Sequence, residues 1–154
     1  MPSYETNQVI TGFIRRVKAT FDGFNPQTIL ISGKSAPMLH GKLGYRGAGV
    51  HIALLARPGE THDTLIFSIP ILRVPANNAG KLFEQLLYWN NAATGVVHFA
   101  LDELINSINI VCVRPVEGLD FQEFQSCLDQ MLNVRLNAFN QLRKTFETLP
   151  MEAL

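Results

Sequence analysis

The sequence predicts an α+β fold, an antiparallel sheet with helices on one face, in the order α-β-β-(β)-α-β-β-α, built as a single domain over residues 1–154. Three observations lead there. The spacing of apolar residues switches along the chain between a helical period near 3.6 and a strand period of 2. Neighbouring strand-like runs alternate apolar with polar residues, as antiparallel hairpins do when one face is packed and the other partly wet. No repeat and no second domain interrupts the chain, whose length lets roughly two thirds of its unfolded surface be buried.

From about Ser3 to Phe21, the residues Val9, Ile10, Phe13, Ile14, Val17 and Phe21 fall on one helical stripe. Asp22, Gly23, Asn25 and Pro26 end that helix. Residues 28–32 read as a strand. Residues 33–49 carry five glycines and read as a flexible connection, with room for a short strand near Met38 to Leu43. Alternation then sets in: Val50, Ile52 and Leu54 point one way while His51, Ala53 and Arg57 point the other. Past the turn "RPGETHD", Leu65, Phe67 and Ile69 oppose Thr64, Ile66 and Ser68, which completes a hairpin. A second helix follows "VPANN", capped by Asn77 or Asn78, and runs to about Asn91. Two strands, 96–101 and 108–113, come next. The last helix opens at "GLDFQEF", where Asp120 and Glu123 stand at capping-box spacing. Its apolar residues Phe121, Phe124, Leu128, Met131, Leu132, Phe139, Leu142 and Phe146 recur at threes and fours through to Leu149 and Pro150.

Thirteen basic residues balance 13 acidic ones, so the strong basic excess of a dedicated nucleic-acid binder is missing. The halves differ mildly. Residues 1–75 hold eight Lys/Arg and four Asp/Glu, and residues 76–154 hold five and nine. Cys112 and Cys127 lie in apolar surroundings without CxxC spacing and imply neither a disulfide framework nor a zinc site. The start, "MPSYETNQV", has no charged region followed by an apolar one, and no apolar run approaches the roughly 18 residues of a membrane span. These features predict a cytoplasmic protein without a membrane or nucleic-acid partner.

Several stretches invite a chemical reading. In "ILISGKSAP" an apolar run ends in Gly33-Lys34-Ser35, as in a phosphate-binding loop, but that loop needs a further glycine five residues before Gly33, where Thr28 stands. Pro37 also breaks the helix that would have to follow. His40, His51 and His62 come at intervals of 11, too far apart for a local metal motif, and read as partly exposed strand histidines. Cys112, His98 and Asp102 could be assembled into a nucleophile set. Alternation puts His98 on the wet face, and nothing in the sequence lowers the Cys112 pKa. Asp102 and Glu103 read as a solvated turn rather than an acid/base pair. No catalytic residue, metal ligand or cofactor is expected.

The stretch "ILRVPANNAGKLFEQLLYWNNAATGVVHFALDE", followed by "VRPVEGLDFQEFQSCLDQML", resembles the type III secretion chaperone-like family, which includes CesT-type chaperones and YbjN proteins. Leu86, Leu87 and Asn90 correspond to that family's helix end. Gly95 through Phe99, Ala100, Leu101 and Asp102 correspond loosely to its strand, and Gly118, Leu119, Glu123 and Phe124 to its last-helix start. The resemblance covers residues 71–132 well and the first 70 only by element order. It implies a small, non-enzymatic homodimer that holds an extended segment of a client protein.

On a helical wheel, Ala79, Leu82, Phe83, Leu86, Leu87 and Trp89 spread over about 160°, wider than the stripe of about 100° that one core contact needs. Tyr88 lies on the far side, Trp89 at the edge, and Asn90 near the stripe's centre, where it is expected to satisfy backbone carbonyls at the helix end. Because the family's dimers commonly pair through this helix and the adjoining strands, the expected self-contact is Tyr88 and Trp89 with Val97 and Phe99 of the second hairpin. Client contact is expected at the first helix and the wet sheet face, where Leu55, Ile66 and Val111 interrupt polar positions. The alternative on the same fold is a regulatory or scaffolding module that binds one folded partner.

Overall fold

The computed structural model describes residues 1–92 and 95–145. Its elements follow in the order α1 (Tyr4–Arg16), β1 (Thr20–Phe21), β2 (Asn25–Ile31), β3 (Lys34–Tyr45), β4 (Ala48–Ala56), β5 (Asp63–Arg73), α2 (Ala79–Ala92), β6 (Val97–Asp102), β7 (Ser107–Pro115) and α3 (Phe121–Thr145). This is the expected α+β arrangement with more strand than the sequence suggests. The strands pair antiparallel in the order β1-β3-β4-β5-β7-β6, and β2 pairs with β3 as well.

Ser3 starts α1. Its hydroxyl accepts the Thr6 amide at 3.0 Å, while its own amide donates to Asp63 at 2.9 Å and ties the helix start to β5. The helix stops at Arg16 rather than near Phe21, because Lys18 adopts a φ of 57° and turns the chain out of helix. Phe21 still packs against the core, but from a strand.

The main departure from expectation is residues 33–49. They form no flexible connection: twelve of them belong to β3, the strand that holds β2 and β1 on one side and β4 on the other. Ser32 and Gly33, at φ 49° and 76°, make a two-residue hairpin turn that pairs Ile31 with Lys34. Gly33-Lys34-Ser35 is thus the end of a hairpin, with a strand and no helix after it. Gly41 is glycine because the chain crosses closely there: a Cβ would lie 2.6 Å from a ring carbon of Phe21 and 2.9 Å from the Gly23 carbonyl oxygen.

Alternation along β4 and β5 comes out as read for the inward positions, but Arg57 lies past the end of β4, and Ala53, Leu55 and Thr64 on the other face are buried rather than wet. Val50, Ile52, Leu54, Leu65, Phe67 and Ile69 face a single core that also takes Ile10 and Ile14 of α1, Leu82 and Leu86 of α2, and Phe124, Leu128, Met131 and Leu142 of α3. Each such burial contributes about 1.5–3 kcal/mol. All three helices therefore contribute to the core on one face of the sheet. Phe124 sits at its centre, 5.2 Å from Phe67 and 5.4 Å from Phe13, ring centre to ring centre. The capping box closes as predicted: Glu123 N–H donates to Asp120 at 2.8 Å, and Asp120 N–H donates back to Glu123 at 3.3 Å. Phe146, Leu149 and Pro150, expected on the last helix, lie outside the described residues.

Candidate protein-binding surfaces

Around α2 the broad apolar stripe divides. Leu82 and Leu86 are buried, while Leu87 is 68% exposed and Tyr88 66%. Trp89 is half-buried and packs on Phe99 of β6, with ring centres 5.6 Å apart. Val97 is buried on the core face of β6. Of the four residues expected at the self-contact, Trp89 and Phe99 thus meet each other, Val97 turns inward, and Tyr88 alone stands well clear of the chain. Leu87, read from the sequence as part of the stripe, joins Tyr88 on the open side.

Asn90 does not satisfy the carbonyls of its own helix end. Its side-chain amide donates to the Phe99 carbonyl at 2.9 Å, and its side-chain oxygen accepts the Phe99 amide at 2.8 Å. An edge strand leaves such groups free for another chain. Here one amide side chain takes both at the centre of β6, the strand at one end of the sheet. Helical spacing pointed to Asn90 but could not reveal its partner.

Among the described residues the opposite sheet face carries no helix. Ala36 and Met38 of β3 and Ala53 and Leu55 of β4 form a second, smaller apolar cluster, with Ile29, Ile31 and Ile66 packed against it. Leu55 and Ile66, two of the expected client contacts, are brought together there. Leu55 is only 2% exposed and forms part of the cluster, whereas Ile66 is half-open. Val111 lies on the same face, paired with Ser68 and His98, outside that cluster. Beside the cluster, a cavity of about 350 Å³ is lined by Met38, His40, His51, Ala53, Ile66 and Asn109 among others. Further exposed apolar side chains stand at the hairpin ends: Leu30 beside the β2–β3 turn, and Leu104 and Ile105 in the β6–β7 turn.

The register also disposes of the Cys112, His98 and Asp102 set. Cys112 pairs with Val97 on the core face and His98 with Val111 on the other, so the two side chains point to opposite sides. Cys112 instead meets Cys127 of α3 inside the core, where both are free thiols. Their hydrogen bond, together with burial, pushes Cys112 up, and the same hydrogen bond draws Cys127 down to about 7 against the opposing effect of burial. Asp102 accepts the Leu104 amide at 3.0 Å and shapes a turn. Among the described residues no group of three or more His, Cys, Asp or Glu side chains gathers to hold a metal ion, and no helix is long and apolar enough to cross a membrane.

The Tir chaperone protein (CesT) family matches residues 40–137, more than half of the chain. The chain belongs to this family. One chain of the crystal structure of the ExsC–ExsE complex is similar in fold, with a TM-score of 0.50 and 16% identity over 88% of this chain and 92% of that one. An uncharacterized protein from Methanothermobacter thermautotrophicus is similar too, with a TM-score of 0.58 and 13% identity over 92% of this chain and 99% of that one. No match is found among curated proteins. Membership in a chaperone family implies the work of binding another protein rather than of converting a substrate.

Proposed function

We propose that this chain acts as a non-enzymatic, chaperone-like homodimer, one domain per copy, that holds an extended segment of a partner protein in the cytoplasm. The observation that carries the client half of this reading is the helix-free face, where an apolar cluster lies next to an open cavity of about 350 Å³. A strand-like segment laid there would set alternate side chains against Ile66 and Val111, above the floor that Leu55 helps to form. The two-copy half rests on Leu87 and Tyr88. Both are largely exposed on α2, next to a strand whose Phe99 amide and carbonyl Asn90 takes, so a second copy would meet the helix face rather than extend the sheet at Phe99.

Light scattering after size exclusion tests the dimer. The wild type is expected near twice 17.2 kDa, and Leu87→Asp with Tyr88→Ala near 17.2 kDa. A monomeric wild type sinks the dimer. Client binding is tested by limited proteolysis of a co-purified partner, followed by titration of the protected peptide by itself. A peptide that binds alone, and fails to bind Ile66→Asp or Val111→Asp, supports the extended segment. Binding by the intact folded partner only would favour a scaffolding module instead.

A further inference from the structure

His40 and His51 stand 11 residues apart in the sequence and side by side in the fold. The β3–β4 ladder pairs Gly41 with Ile52, which sets the two histidines diagonally across adjacent strands on the helix-free face. His51 Nδ1 lies 3.3 Å from His40 Nε2, and the rings stack with centres 5.4 Å apart and planes 25° off parallel. Both rings line the cavity of about 350 Å³ on that face, together with Asp102 and Asn109.

We propose that His40 and His51 form a two-imidazole chelate for a borderline divalent cation such as Zn²⁺, open to the cavity. Two nitrogens bound to a tetrahedral zinc, each about 2.0–2.1 Å from the metal, lie about 3.3–3.4 Å apart. The observed separation of 3.3 Å has that length. The strands fix both side chains in advance, so little ordering remains to be done on binding. The ring that donates in the metal-free contact moves its proton to its other nitrogen, which leaves two lone pairs for the cation and releases no proton from a neutral pair. Burial, then the neighbouring His40 and Lys42, favours neutral His51, and the Asp102 carboxylate opposes them. Asp102 also brings negative charge to the cavity wall, against the positive charge of Lys42. No third His, Cys, Asp or Glu completes the set among the described residues, so water or a bound protein supplies the remaining ligands.

Calorimetric titration of the full chain with zinc chloride decides the matter. At about pH 7.5 one site per chain is expected, weakened at least about tenfold by His40→Ala and by His51→Ala alike. His62→Ala, which removes only the surface contact with Glu117, is expected to leave it unchanged. At about pH 5.5 protons compete for the imidazoles and the affinity falls. Should either half-buried position prove intolerant of alanine by circular dichroism, His40→Gln serves in its place. No binding heat at millimolar zinc, or equal binding by wild type and His40 variants, overturns the proposal.

Discussion

Asn90 offers Phe99 the two groups that a neighbouring strand would offer, an acceptor and a donor fixed in one plane. Removing them leaves two backbone groups beside the half-buried Trp89–Phe99 pair, so Asn90→Ala is expected to cost about 2 kcal/mol in urea unfolding. Asn90→Asp keeps only the acceptor and should also destabilise. His51 makes a prediction of opposite chemistry. Its pKa is lowered in the fold, chiefly by burial, so the unfolded chain binds more protons than the folded one as pH falls below the ordinary value of 6.5. Stability is then fully present above that value and declines below it, and His51→Gln should flatten this part of the profile of urea midpoint against pH. The sequence marked both residues for attention without revealing their roles. Wheel position says which side of a helix Asn90 occupies, not that a strand nine residues on will come alongside it. An interval of 11 between histidines looks long until a hairpin folds it in half.

Among the elements, legibility followed the apolar period. The β4–β5 hairpin could be read because its two faces differ, and α3 because Asp120 and Glu123 announce it. Replacing Asp120 by Ala should cost about 1 kcal/mol, measured as a shift of the urea midpoint at constant slope. The strand β3 was hidden by its glycines, which resemble those of a loop. Some stand in it because β1 crosses close by, a tertiary reason that no local window contains. Gly41→Ala tests that account: the new methyl must displace the Phe21 ring or the Gly23 backbone, at a cost of about 1–3 kcal/mol. A strand glycine kept only for flexibility would tolerate alanine or gain from it. The end of α1 is hidden in the sequence for a related reason, since Phe21 satisfies the core equally well from a helical stripe or from a strand.

The molecule as a whole has two apolar layers divided by one sheet: the main core under three helices and the smaller cluster on the helix-free side. Phe124→Ala in the first should cost about 3–5 kcal/mol, and Leu55→Ala in the second about 2–5 kcal/mol. Because they belong to separate clusters on opposite faces of the sheet, the two should add within about 0.5 kcal/mol in a double-mutant cycle of urea unfolding. A larger coupling would mean that the sheet transmits strain between its faces. The clamp at β6 also predicts how the backbone trades its hydrogens with solvent. An outermost strand normally gives up its outward amides quickly. Phe99 has its amide hydrogen held by Asn90, so in deuterated water it should exchange slowly, like an amide in the middle of the sheet, and should lose that protection in Asn90→Ala. A map of exchange rates over this protein would then show a slow point on its outer border, marking where the sheet ends without being open.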